Sequence, residues 1–589
     1  MKRLLYPSAA WVAVLTLVAS SVAGARAAIL TIDDSAAAQK QVIDGFGTCI
    51  NGNGDKAWYQ KAYFDDLGCS IMRMDLTPQF KSPYSDRSFN SPWFSNQPPF
   101  KIDDPANRGG PEKNNVRTYT GPDDYSREFG GYKAQIAVMG PDIEKNIACF
   151  DYDKVAAQGA MAQAGLARKE QLGDFKLYGS MWSPAPWVKV ANGQKWGSQA
   201  GIMPATGTPY PFIWGGNFAG GKLDTSDKPL AVFDDGTGPT SALTQFARGL
   251  AAFVKGFQDK FGVRYYAISI QNELNFPEFY NSCVYQTSDE YIAALKAVRK
   301  EFDQHPDLKD IQLIGPEDLL GGDPYSMWQF GGGAGVTHKN LQYVTNVEKD
   351  PAAAAAESFF CIHGYATDGA TAAGADSRQW RWWAEGWQDS PAPGIPGGVS
   401  GFTAYHKKSW MTETSGESPA WLQPATGFPG TGAWSIAFKM QQALTVGQES
   451  ACLYWQFAEK DDETTVECLT RGKDTTQEPK YVAAKHFIKY IRPGAIAVKA
   501  NVEGTKGVTA SAFLHKEDHA LTIVLVNKSP DSEEISVQLP DDFSSVKSVE
   551  MVISSDGSLW KESAASPDND QIKLTVPGYG VVTLNAKRL

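Results

Sequence analysis

The chain has 589 residues, 42% of them hydrophobic and 21% charged, which is ample for a buried core and excludes disorder of the low-hydrophobicity kind. Its formal charge is -11, and no Lys/Arg run in the body supplies the basic stripe a phosphate backbone needs, so nucleic acid is excluded as a partner. Aromatic content is high, with 17 Trp, 23 Tyr and 29 Phe, and flat apolar faces suit partly polar ligands such as sugars.

At the N-terminus, Lys2 and Arg3 precede an apolar run from Ala9 to Ala23 that ends at Ala25-Arg26-Ala27. A charged start, a short apolar stretch and small residues at the cut are the features of a signal peptide. Residues 1–27 are therefore expected to be removed, leaving a secreted or periplasmic protein with no integral membrane span. The seven cysteines all lie beyond this segment and contain no C-x-x-C pair, which disfavours zinc. They are expected to be mostly buried small hydrophobes, with room for one or two bridges.

Strand-like Ala28 to Ile32 follows, within a segment 28–41 expected to join a β-sandwich at the far end of the chain. Over 42–492, eight short apolar runs alternate with helical patterns: Val42 to Gly47, Ser70 to Leu76, Phe175 to Trp182, Tyr265 to Gln271, Ile311 to Pro316, Phe359 to His363, Ser409 to Thr412 and Ala451 to Phe457. Eight such units predict an α/β fold, a (β/α)8 TIM barrel. Helices are expected where Leu243, Phe246, Leu250, Phe253 and Phe257, and again Ile292, Leu295, Val298 and Phe302, recur at three and four; the alanine patch Ala352 to Ala356 is also expected to be helical. The long connections Thr77 to Phe150 and Lys189 to Thr240 follow the second and third strands, on the face where barrel chemistry sits. After Arg492-Pro493-Gly494 the period becomes two, as in Ile535, Val537, Leu539 and Ile572, Leu574, Val576, so 493–589 is expected to form a C-terminal β-sandwich side domain.

The strongest local signal is Ser269-Ile270-Gln271-Asn272-Glu273, an apolar strand leaving the barrel through an amide and a carboxylate. Glu413 ends the seventh strand in the same manner. Strands four and seven face one another across a barrel mouth, so these two glutamates could flank one glycosidic bond. Cleavage with retention needs one ionised carboxyl to attack and one protonated carboxyl to assist departure, about 5 to 5.5 Å apart. Spacing alone does not say which is which. Glu317-Asp318 after strand five is a rival pair, expected to be structural or to line a subsite, and Asp75 is expected to be a salt-bridge partner of Arg73. Trp382, Trp383 and Trp387 fall on a helical pattern and are expected to pack; Trp421 is more open to being a subsite wall. Gly331-Gly332-Gly333-Ala334-Gly335 follows no strand, so it is expected to be a loop without phosphate chemistry. Seven scattered histidines argue against a metal-assisted hydrolase, and no metal or other cofactor is expected.

Asn272-Glu273 and Glu413 resemble the paired carboxylates of retaining glycosidases with (β/α)8 barrels. Ile43-Asp44-Gly45-Phe46-Gly47, Met72-Arg73-Met74-Asp75, Trp182-Ser183-Pro184-Ala185-Pro186-Trp187, Tyr454-Trp455-Gln456 and Lys489-Tyr490-Ile491-Arg492-Pro493-Gly494 together resemble glycoside hydrolase family 30. The resemblance spans nearly the whole chain beyond the signal segment. It implies that Glu273 is the general acid/base and Glu413 the nucleophile. It also implies that Asn272 holds the sugar 2-hydroxyl or the nucleophile, that Arg73 keeps Glu413 ionised, that His363 and Tyr365 surround the nucleophile, and that Trp182 and Trp455 floor the sugar subsite. The chain departs from the family pattern at Gly364, between His363 and Tyr365, and at Leu274-Asn275-Phe276-Pro277, where Pro commonly follows the acid/base.

The resemblance thus implies a monomeric, exported retaining glycosidase acting on a β-linked oligosaccharide or polysaccharide, with β-1,6-glucan or β-1,6-galactan favoured. Xylan and glucosylceramide are the alternatives within the family. A protein that binds polysaccharide without cleaving it is the alternative outside it.

Overall fold

The computed structural model describes residues 28–50, 52–77, 79–81, 136–191, 221–226, 228–230, 240–275, 283–320, 339–365, 377–390, 396–416, 418, 420–422, 432–459, 467–473 and 478–588. Residues 1–27, most of the two long connections and the glycine run 331–335 lie outside the described residues. Eight strands close a parallel barrel in chain order: Gly45–Cys49, Ile71–Leu76, Lys176–Met181, Tyr265–Ser269, Gln312–Leu319, Glu357–His363, Ser409–Glu413 and Ala451–Gln456. Each overlaps one of the eight runs read from the sequence. The eighth pairs back onto the first through Cys452 and Phe46, which completes the ring.

Two boundaries moved for identifiable reasons. Val42 and Ile43 were expected to open the first strand, but Val42 bridges to Ile496, and Ile43 exchanges backbone bonds with Gly494 and Ala495. These two residues therefore stitch the barrel entrance to the chain leaving it. The fifth strand runs on to Leu319, past the expected Pro316, because Asp318 and Leu319 still pair with Ile362 and His363. That extension carries Glu317 into the barrel.

Below the mouth the interior is filled by Ile71, Tyr178, Ala267, Ile314, Phe359 and Trp410, among others, so the barrel is a packed core and not a channel. Gly47 shows why the first strand is glycine-rich: a Cβ there would overlap the Ile71 carbonyl oxygen of the neighbouring strand. Outside, helix Ala242–Phe261 lays Phe246, Leu250, Phe253 and Phe257 on the wall; Ser241 caps its start and Gly262, at φ +68°, ends it. Helix Ser288–Phe302 begins at Thr287, whose hydroxyl accepts from Glu290 N–H. The alanine patch forms helix Pro351–Ala356, capped by Asp350.

At the C-terminal end, nine strands form a sandwich. Ala28–Asp33 is one of them, antiparallel to Ile496–Glu503 and parallel to Glu533–Gln538. Leu30, Val498, Leu521, Ile535 and Leu574 share one apolar core between its layers. Helix Pro479–Ile488 joins the two bodies, and His486 bonds Thr583 and Ser554 of the sandwich, both at 2.8 Å. The Arg492 guanidinium reaches back to the barrel carbonyls of Gly68 (2.7 Å) and Leu172 (2.6 Å).

Three expectations need correction. Trp421 is no subsite wall: it is 3% exposed, and its indole donates to Tyr579 O of the sandwich at 3.0 Å. An indole N–H buried at a seam needs an acceptor, and the sandwich backbone supplies it. The cysteines form no bridges: none of the seven is in a disulfide, and six of them are buried. They act as small core side chains, and only Cys149 is partly exposed. Asp75 accepts a hydrogen bond from Cys49 Sγ (3.4 Å), whereas the ion pairs of Arg73 go to Glu317 and Glu413. Trp383 and Trp387 pack as expected, with Trp382 resting against the same core.

No helix among the described residues is long and apolar enough to cross a membrane.

Candidate active site

Barrel strands end together at one mouth, so residues far apart in sequence converge there. Glu273 follows the fourth strand and Glu413 ends the seventh. One carboxylate oxygen of each, with a His363 ring nitrogen, lie within 4.8 Å of one another. Both carboxylates are almost buried, 5% and 4% exposed, with the exposed remainder toward the mouth. Backbone bonds set the converging strand exits: Asn272 N–H donates to Met181 O, Glu273 N–H to Glu317 O and Gly364 N–H to Glu413 O, at 2.7, 2.8 and 2.7 Å.

The departure at Gly364 has a steric cause. A Cβ at this position would overlap Met411 Sδ on the seventh strand, so glycine permits the close approach that fixes Glu413. Leu274, where the family commonly has Pro, is fully buried, and its carbonyl accepts from Tyr285 N–H at 2.8 Å. Phe276 and Pro277 lie outside the described residues.

Arg73, wholly buried on the second strand, lies beneath the carboxylates. Its guanidinium pairs with Glu413, lies 3.3 Å from Glu317 Oε1 and donates to Asn272 Oδ1 at 2.7 Å. A planar fork suits this role because one side chain serves several acceptors. Tyr365 donates its hydroxyl to Glu413 Oε1 at 2.9 Å. His363 places Nδ1 2.9 Å from Glu273 Oε1 and 3.6 Å from Glu413 Oε1, with Nε2 3.4 Å from Glu317 Oε1. Trp182 and Trp455 stack, their ring centres 5.0 Å apart, and the Arg73 guanidinium lies over Trp455 at 5.5 Å. All eight sequence-predicted site residues are thus brought to one place. Arg73, Asn272 and His363 are fully buried and present almost no surface of their own; Arg73 and His363 hold the carboxylates, and Asn272 holds Arg73.

Glu317 was expected to be structural or a subsite feature, and the structure puts it at the centre of the ion-pair network. Its Oε2 accepts from Ser180 at 2.7 Å. The signal available in sequence was an acidic pair directly after an apolar run, and a glutamate there can be buried only if paired. Both Glu273 and Glu317 have left-handed backbones, at φ +44° and +53°, a strained state for non-glycine residues that concentrates at functional sites.

The electrostatics separate the carboxyls. Burial pushes Glu273 upward, helped by the Glu413 charge and opposed by the hydrogen bond from His363. Burial also acts to raise Glu317, but the Arg73 charge and the His363 hydrogen bond outweigh it and bring the group down to about 2. For His363, burial acts downward; the Glu413 charge and the bonds to Glu273 and Glu317 prevail and lift it to about 10. Burial takes Asp75 to about 6 against the pull of Arg73.

These shifts predict a stability profile. The contribution of Glu317 is present above the ordinary 4.5 and lost as pH falls toward 2, whereas that of His363 is present below 6.5 and lost as pH climbs through 10. Glu273 and Glu357, the latter raised to about 8 chiefly by burial, favour the protonated form and weaken the fold as pH rises. Urea unfolding should therefore need most denaturant near pH 4.5, where the Glu317 contribution is complete and the raised carboxyls are still protonated, and less toward pH 3 and pH 9.

The sequence matches no protein-family model and no curated protein; the likeness is structural. The chain is similar to a glycoside hydrolase family 30 subfamily 8 xylanase from Clostridium acetobutylicum, with TM-score 0.58, 19% identity, and coverage of 95% of this chain and 100% of that one. It is similar to the catalytic domain of the family 30 xylanase C from Talaromyces cellulolyticus, with TM-score 0.56, 15% identity, and coverage of 95% and 100%. An endo-β-1,6-glucanase gives TM-score 0.55, 16% identity, and coverage of 95% and 94%. Because coverage takes in both bodies, the chain has the fold of the family 30 glycoside hydrolases, a (β/α)8 barrel carrying a β-sandwich.

Proposed function

We propose that this protein is a retaining glycoside hydrolase of β-linked glycans. The observation that carries this reading is the pair of carboxylates, Glu273 and Glu413, with oxygens within 4.8 Å of one another at the barrel mouth. Carboxyls this close suit direct attack on the sugar, as in retention, whereas inversion sets the two groups about 6.5–9.5 Å apart to admit a water. Glu413, beside the Arg73 cation and the Tyr365 hydroxyl, is the nucleophile. It attacks the anomeric carbon and forms a glycosyl ester as the bond to the leaving oxygen breaks. Glu273, raised by burial, gives that oxygen its proton and then takes one from the water that cleaves the ester. Asn272, whose Oδ1 accepts from Arg73 at 2.7 Å, orients that guanidinium beside the nucleophile. Trp182 and Trp455 supply an apolar platform for the ring.

The apolar segment behind Lys2 and Arg3 supports export. For substrate, β-1,6-linked hexose polymers are favoured, and a neighbour of this fold cleaves β-1,6-glucan; others are xylanases. Incubation with β-1,6-glucan, β-1,6-galactan and xylan, with product sizing and proton NMR of the first-formed anomer, tests the proposal. The expected result is a new reducing end with the β configuration retained from a β-1,6-linked polymer. Binding without new reducing ends would favour the polysaccharide-binding alternative, and initial release of the α anomer would defeat retention.

A further inference from the structure

We propose that Glu317, which cannot reach a substrate, is a positioning residue that sets how many protons the Glu273–His363 pair holds. This rests on the glycosidase reading and goes beyond it, because Glu317 belongs to neither catalytic step. The residue is wholly buried on the fifth strand. It touches the acid/base by two routes. Its carbonyl accepts the Glu273 N–H at 2.8 Å, and its carboxylate lies 3.4 Å from His363 Nε2, whose other nitrogen is 2.9 Å from Glu273 Oε1.

An imidazole between two carboxylates has few good proton arrangements. An ionised Glu317 accepts only, so Nε2 must carry a proton. The contact between Nδ1 and Glu273 then holds one shared proton, either on the glutamate facing a neutral ring or on an imidazolium facing a glutamate anion. The first arrangement is the acid and the second has the carboxylate that serves as base. The Ser180 hydroxyl at 2.7 Å and the Arg73 guanidinium at 3.3 Å keep Glu317 in place and ionised. Among the described residues, the other charged or titratable groups facing this pair or Glu317 are Arg73, Asp75, Tyr178, Asp318, Cys361, Tyr365 and Glu413, on strands two, three, five, six and seven or just beyond them. Of these only Arg73 is a cation. Loss of the Glu317 charge leaves Arg73 less neutralised, so the proton affinity of the pair must fall.

The test is Glu317→Gln, nearly isosteric and uncharged, with Glu317→Asp as the charge-keeping control. On an aryl β-glycoside, the alkaline limb of kcat/KM is expected to move down by about one pH unit in Glu317→Gln, an approximately tenfold loss above the wild-type midpoint. Glu317→Asp should restore the limb. In parallel, 15N NMR of the imidazole, assigned with His363→Gln, should find Nε2 protonated throughout in the wild type and the proton shared between Nδ1 and Glu273 lost well above the unperturbed imidazole value, with that loss at lower pH in Glu317→Gln. A purely structural role would lower activity at every pH and leave both titrations alone, and that result overturns the proposal. Should the wild type cleave no glycan, the glycosidase reading fails while the NMR comparison still decides the link between Glu317 and His363. If Glu317→Gln does not fold, the wild-type titration decides: an ordinary midpoint near the unperturbed imidazole value refutes the link.

Discussion

Replacing Glu413 by Gln is expected to leave a folded protein whose hydrolysis falls about 10⁴-fold, the equivalent of roughly 5.5 kcal/mol of transition-state stabilisation. An amide keeps the shape of the side chain and the Tyr365 hydroxyl contact, but it is a poor nucleophile and no longer balances Arg73. Replacing Glu273 by Ala should behave differently. Loss of general acid catalysis alone is on the order of 10²- to 10⁴-fold and falls mostly on substrates with poor leaving groups. Azide should restore part of the lost rate on an activated aryl β-glycoside, because a small anion can occupy the vacated space and attack the glycosyl ester. Its product should be the β-glycosyl azide, since two inversions at one carbon give retention. A product of α configuration, or full hydrolysis by either variant, would remove the double-displacement assignment.

Arg73→Met should cost about 3 to 5 kcal/mol of stability, the range for stripping one partner from a buried ion pair. Met fills the cavity but leaves Glu317 and Glu413 facing each other across a buried site, with Asn272 Oδ1 also losing its donor. The penalty should shrink on acidification, because the variant relieves the conflict by protonating Glu317, which the Arg73 charge keeps ionised in the wild type. Urea unfolding at pH 7 and pH 4 measures both effects. Arg73→Lys, with a point charge in place of a fork, should recover part of the stability and less of the activity. A loss under about 1 kcal/mol at both pH values would show that the network does not hold the barrel mouth together.

Most of the barrel was legible because its strands are short, apolar and separated by amphipathic helices, a local pattern that survives without tertiary information. The errors fell where a partner from elsewhere decided the outcome. Val42 and Ile43 read as the start of a barrel strand by composition, yet the returning chain at Gly494–Ile496 claimed their backbone groups. Trp421, placed by type among possible sugar platforms, was taken by the sandwich. Seven cysteines in a chain read as exported invited bridges, but none forms, and six of them are buried as small side chains of the core.

By itself the sequence determined the order of the elements, the period of each, and which strand ends carry carboxylates, because those follow from local composition and backbone preference. Only the closed ring decided that Arg73, Glu317 and His363 gather with Glu273 and Glu413 at one mouth, and so that Glu273 is driven up and Glu317 down. The physical reason is that a charge's energy depends on distance and burial, and both are set by residues hundreds of positions apart meeting in a dry interior.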